Sequence, residues 1–137
     1  MNYSREAIDM TRALVNGDKR AKQWLENNHL EELVQLNDAV SRHAHAFEYL
    51  LVNKFVILAA FVNAVWEDKK AFALLMEQRA FHWAAMANFI NGDENAEVFL
   101  RKNRMDHYLT LAIAIQAKIR KEGDEGTNVF NSGPFKV

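Results

Sequence analysis

The chain repeats itself every 25 residues, four times in succession, without insertion or deletion. Cut at Asn16, the blocks read NGDKRAKQWLENNHLEELVQLNDAV, SRHAHAFEYLLVNKFVILAAFVNAV, WEDKKAFALLMEQRAFHWAAMANFI and NGDENAEVFLRKNRMDHYLTLAIAI. The sixth position is Ala21, Ala46, Ala71 and Ala96, and the tenth is Leu25, Leu50, Leu75 and Leu100. The ninth holds Trp24, Tyr49, Leu74 and Phe99, and the eighteenth Leu33, Leu58, Trp83 and Tyr108. The thirteenth is an amide in every block (Asn28, Asn53, Gln78, Asn103), and the last is Val40, Val65, Ile90 and Ile115. Self-similarity at such a period is the signature of supersecondary units that bury their apolar faces against one another. The expectation is therefore all-α, an α-solenoid of four helical hairpins.

One block shows why the unit is a helical hairpin. Gly17 reaches a left-handed conformation without steric cost and can end the preceding helix. Asp18 follows as an N-cap, its carboxylate accepting from the first turn's N–H groups. Helix A then spans 19–27, with Ala21, Trp24, Leu25 and Asn28 on one face. Asn28 and His29 make the turn, and helix B spans 30–39 with Leu30, Leu33, Val34, Leu36 and Val40 inward. Asp68 and Asp93 repeat the cap, and His43 is a weaker substitute in the second block. The invariant Ala implies close helix approach, expected where each helix A stacks on the next. The second and third blocks are the more apolar, as expected of inner units covered on both sides.

The ends continue the scheme. Residues 6–15 align with helix B of a missing block, Ile8 over Leu33 and Val15 over Val40, and residues 4–15 form a polar capping helix with Ser4 as its N-cap. The divisions expected are a cap at 1–15, repeats at 16–40, 41–65, 66–90 and 91–115, a helical domain over 1–121 and an extended tail at 122–137. The tail is Gly-rich and contains the one Pro. Its Phe130, or Phe130 with Phe135, is expected to pack on Phe99 or Tyr108, or on a second copy to give a homodimer. A competing scheme has a 50-residue period, with one helix over 43–66.

The stretch 27–36, NNHLEELVQL, resembles the NGHLEVVKLL stretch of ankyrin repeats, with Ala21 and Trp24–Leu25 where that family keeps small and apolar helix-A residues. The resemblance covers the helical pair alone. The TPLH tetrapeptide and the β-hairpin segment are absent, and the block is shorter than an ankyrin repeat of about 33 residues. The chain is thus similar to ankyrin-like or HEAT-like helical-hairpin arrays without β-hairpins. The resemblance implies a protein or peptide partner on a repeated surface, without catalysis.

Composition narrows the function classes. There is no Cys, so disulfides and thiolate chemistry are excluded, and a cytoplasmic setting is expected. The most apolar run, 49–66, is interrupted by Asn53, Lys54 and Asn63, which argues against a membrane span. The N-terminus has no apolar signal-peptide core. Net charge is −1, short of the basic excess usual in duplex-DNA binders. The fourteenth column, His29, Lys54, Arg79 and Arg104, makes a cationic ladder, equally explained by the preference for cations at helix C-termini. With the block-start residues Lys19, Lys69 and Lys70 it marks a candidate partner surface on a concave helix-A side. Nucleic-acid binding through the ladder is the less favoured alternative. Of the five His, His45 shares a helix face with Glu48, a conceivable dispersed enzyme site, but no metal-binding or nucleophile motif accompanies it. No cofactor is expected.

Overall fold

A computed structural model of the protein describes residues 2–124. These residues are all-α, in nine helices: α1 Arg5–Val15, α2 Lys19–Asn27, α3 Glu31–Ala39, α4 Ala44–Val52, α5 Val56–Val65, α6 Lys69–Glu77, α7 Phe81–Ile90, α8 Glu94–Lys102 and α9 Asp106–Asp124. The break between α4 and α5 removes the continuous helix over 43–66. Helix α9 runs to Asp124, past the residue where the extended tail was expected to begin. Residues 125–137, with the expected packing of Phe130 and Phe135, lie outside the described residues.

Each helix starts and stops where local chemistry dictates. Ser4 Oγ accepts from Ala7 N at 3.1 Å. Asp18, Asp68 and Asp93 accept from Arg20 N, Lys70 N and Asn95 N at 3.0, 2.9 and 2.9 Å. His43 makes no side-chain cap hydrogen bond. The helices α1 to α8 all end the same way. At the end of α2, His29 takes φ 59°, its N–H donates to Glu26 O at 3.1 Å and Leu30 N–H donates to Leu25 O at 2.9 Å. These are the paired bonds of a Schellman cap. Lys54, Arg79 and Arg104 hold the same left-handed position, as do Gly17, Arg42, Glu67 and Gly92 at the other ends. A Cβ on Gly17 or Gly92 would meet nothing within 4 Å, so glycine serves only backbone conformation there. The Leu column is the cap's inner apolar partner, and Leu30, Phe55, Ala80 and Met105 are its outer one. The amide column seals the same turns: Asn28, Asn53 and Asn103 each donate Nδ2–H to the carbonyl four residues back at 2.8 Å.

Packing follows one rule. The helices α1, α3, α5, α7 and α9 each pack on the next, and α9 returns to pack on α1. The intervening α2, α4, α6 and α8 each nest against the two ring helices flanking them and do not touch one another. This corrects the expected stacking of each helix A on the next. The buried Ala column instead lies where a short outer helix settles between two ring helices. The helix-A side is accordingly the outer, convex side, not a concave one. Helix α5, surrounded by α3, α4, α6 and α7, is buried at every residue from 58 to 65.

The ring is filled by aromatic side chains. Trp83 is fully buried, edge-on to Phe61 and Tyr108 at 5.1 and 5.5 Å between centroids. Tyr3 packs edge-on to Trp83 at 6.3 Å and donates two hydrogen bonds, its N–H to Tyr108 Oη at 3.3 Å and its hydroxyl to Glu32 Oε2 at 3.0 Å. The segment before α1 therefore ties α3, α7 and α9 together. At the opposite end Lys118 Nζ donates to Asn37 O at 3.0 Å, and Ser41 Oγ donates to Glu122 Oε2 at 2.9 Å, joining α9 to the end of α3.

Candidate functional site

The sequence-derived candidates are all exposed, and the structure divides them between two rims. His29, Lys54, Arg79 and Arg104 sit at the turns that follow α2, α4, α6 and α8. Lys19, Lys69 and Lys70 sit at the N-terminal ends of α2 and α6. A nine-residue helix separates the two sets by about 13 Å, so they do not form one surface. The shared property of the ladder is conformational: every member occupies the left-handed cap position.

An open apolar groove lies between α6 and α8, floored by α7. Phe72, Met76, Phe81, Ala84, Ala85 and Phe99 line it, and Asn88, Asp93 and Asn95 close its far end. Met76, Phe81 and Phe99 are 43%, 43% and 39% exposed. The groove exists because neighbouring outer helices do not touch. Arg79 stands in the turn between Met76 and Phe81, and Arg104 in the turn that ends α8. Lys69, with Asp68 and Phe72, lines an adjoining depression beside Asn88 and Asn91. The apolar character of the third block thus has a second cause besides burial. Phe99, read from its column as core, stands partly in solvent.

The sequence does not mark Phe72, Met76 and Phe81 as a surface, although it carries a signal. At the sixteenth position Glu31 and Asp106 stand in the outer blocks, and Val56 and Phe81 in the inner ones. At the eleventh, Glu26 and Arg101 contrast with Leu51 and Met76. That pattern is compatible with either a covered core or a docking surface, and only the geometry separates them.

The remaining polar chemistry is structural in arrangement. Burial, reinforced by the Glu32 carboxylate, raises the Tyr3 hydroxyl above its ordinary value, and burial does the same for Tyr108. His107 is lowered, first by burial and then by Arg5, which favours the neutral imidazole. Burial also lowers Lys118, against the pull of Glu122 and Asp38. His45 and Glu48 are exposed on α4 and line none of the grooves described. Among the described residues, no group of three or more His, Cys, Asp or Glu is placed to hold a metal ion, and no helix is long and apolar enough to cross a membrane. Compared with protein-family models, curated proteins and solved structures, the chain matches none of them.

Proposed function

We propose that this chain is a non-enzymatic helical-repeat scaffold that binds a protein or peptide partner. Its unit is the 25-residue helical hairpin, four of them closed by α1 as a cap, in the manner of an ankyrin-like or HEAT-like array without β-hairpins. A cytoplasmic setting accords with the absence of Cys. The observation that carries the reading is the groove between α6 and α8. Two Phe and a Met in solvent, gathered in one concavity, are what a partner surface requires and what a monomer without one avoids.

The test is affinity capture with the intact chain beside a Phe81→Asp variant. A partner retained by the first and lost by the second supports the reading. Identical captures, or none, oppose it. Nucleic-acid binding has one observation in its favour, the alignment of His29, Lys54, Arg79 and Arg104 along a single rim. It predicts binding to single-stranded or duplex oligonucleotides that falls steeply with salt and is lost on Arg79→Glu/Arg104→Glu. The enzyme reading, with His45 and Glu48 as its residues, lacks a cavity beside them among the grooves described.

A further inference from the structure

We infer that the groove between α6 and α8 receives a short amphipathic helix from another protein, about three turns long, with acidic residues at the end that reaches the Arg79 and Arg104 turns. The inference rests on the partner-binding reading and specifies its ligand.

The blocks supply their own controls. The positions equivalent to Phe72, Met76, Phe81, Asn88 and Phe99, one block earlier, are Phe47, Leu51, Val56, Asn63 and Leu74. Phe47 and Asn63 are 4% and 2% exposed and Leu51 and Leu74 are half-buried, so Val56, 48% exposed, is the one open apolar side chain of the five and the passage between α4 and α6 is mostly filled by its own side chains. Another block earlier the same positions are Lys22, Glu26, Glu31, Asp38 and Tyr49, a predominantly charged face. Of the three passages, the one between α6 and α8 gathers three exposed large apolar side chains, Met76, Phe81 and Phe99. Backbone architecture is held constant across the three passages, so the difference lies in the side chains. Met and Phe at the opening are the adaptable and the anchoring residue types of helix-binding grooves.

The lining also selects the ligand's conformation. The apolar stretch of the groove, from Phe72 to Phe81 and Phe99, is formed by carbon and sulfur side-chain atoms. An extended peptide laid there would bury N–H and C=O groups without partners. A helix satisfies its own backbone and offers apolar side chains at i, i+3, i+4 and i+7, the helix-in-groove mode of recognition. The floor is α7, ten residues and about 15 Å long, which matches about three turns.

Charge sets the direction. Around the turns at the Phe81 end stand Arg79, Arg101, Lys102 and Arg104, against Glu77 and Asp106. Arg101 is already paired with Glu97 at 3.1 Å. Arg79, Lys102 and Arg104 are exposed and left to meet an acidic ligand. At the far end Glu67, Asp68, Asp93 and Glu94 outnumber Lys69 and Lys70, so that end disfavours the acidic end of a ligand. Rim charges of this kind steer association and choose among partners more than they add affinity.

The experiment selects from a random display library of peptides about 16 residues long on the intact chain, then measures enriched peptides by fluorescence anisotropy. Enriched sequences are expected to carry the i, i+3, i+4, i+7 apolar pattern with Asp or Glu concentrated toward one end. Their affinity is expected to fall about tenfold or more on Phe81→Asp or Phe99→Asp. It should fall about threefold on Arg79→Glu/Arg104→Glu at low salt, and less at high salt. Helix content and melting temperature of the variants, all at exposed positions, confirm that the fold is retained. Helical peptides without acidic enrichment, or insensitive to the Arg79→Glu/Arg104→Glu change, overturn the charge assignment. Peptides indifferent to both Phe substitutions overturn the groove while leaving peptide binding standing. Self-association of the chain that Phe81→Asp abolishes makes a second copy the occupant and overturns the proposed partner. Enrichment of nothing above background overturns this inference and the binding reading together.

Discussion

Replacing Glu67 with glycine is expected to stabilise the protein by about 0.5–1 kcal/mol, against the usual direction of glycine substitution. Glu67 caps the end of α5 at φ 69°, with its N–H donating to Ala64 O at 2.9 Å and Asp68 N–H donating to Asn63 O at 3.1 Å. An L-residue in that conformation is disfavoured by about 1–2 kcal/mol. Glycine removes that strain but costs about 0.5–1 kcal/mol in unfolded-chain entropy, a net gain of about 0.5–1 kcal/mol. The carboxylate lies at the negative end of α5 and equally at the positive end of α6, so the two helix dipoles offset one another and its charge adds no net term. The conformational gain raises the melting temperature by about 2–4 °C for a chain of this size. Urea denaturation followed by circular dichroism measures it, with two companions. Glu67→Gln, which keeps the left-handed strain, should leave stability nearly unchanged. Gly92→Ala should destabilise by about 1 kcal/mol, because φ is 101° there and a Cβ meets nothing, leaving conformation as the whole cost. A destabilising Glu67→Gly, or a neutral Gly92→Ala, would refute the assignment of left-handed caps at these ends.

Three further outcomes are expected. Leu75→Ala, at a fully buried position on α6, should cost about 2–5 kcal/mol of stability in urea by leaving a cavity. Ala21→Leu, where α2 nests against α1 and α3, should cost about 1–3 kcal/mol by overpacking, and a midpoint unchanged in either variant would contradict the inward face. Tyr3→Phe should cost about 1–3 kcal/mol at neutral pH by leaving the buried Glu32 without its hydroxyl donor. The same variant carries a pH signature. Tyr3 keeps its proton in the fold where the unfolded tyrosine loses it, so its contribution is complete below pH 10 and is lost as pH rises above that value. Wild type should therefore lose up to ~1.4 kcal/mol per pH unit more than Tyr3→Phe above pH 10. Parallel stability curves for the two proteins would count against the buried Tyr3–Glu32 contact.

The Ala and Leu columns were legible because side-chain size and apolarity directly dictate burial at helical spacing. The Asp caps were legible because one chemical group does one job. The left-handed caps were only half legible: Gly17 and Gly92 announce themselves, but His29, Lys54, Arg79 and Arg104 look like a charge pattern, and their common property is a backbone angle. The first block position was not legible at all. Trp66 Nε1–H donates to Val40 O at 3.2 Å, Asn91 Nδ2–H to Ala64 O at 3.0 Å and Gln116 Nε2–H to Ile90 O at 3.2 Å. Three unlike side chains thus make one inter-helix clasp, which identity matching cannot detect. In the more visible thirteenth column, Asn28, Asn53 and Asn103 seal their own helices instead. Closure of α9 onto α1 joins the two ends of the described residues, which no single block encodes. The groove is illegible for a related reason: Met76 and Phe81 read as core until the spacing of α6 and α8 is known.

Everything proposed for the outer face depends on the ring being closed, because closure places α2, α4, α6 and α8 outside and leaves the passage between α6 and α8 open to solvent. Aromatic NOE spectroscopy of the intact chain tests this. Cross-peaks between the Tyr3 ring and the Trp83 indole, and between the Tyr3 amide and the Tyr108 ring, are expected from contacts 80 and 105 residues apart in sequence. Their absence, with Tyr3 at random-coil shifts and free to exchange its amide with solvent, would mean an open stack and would contradict the account.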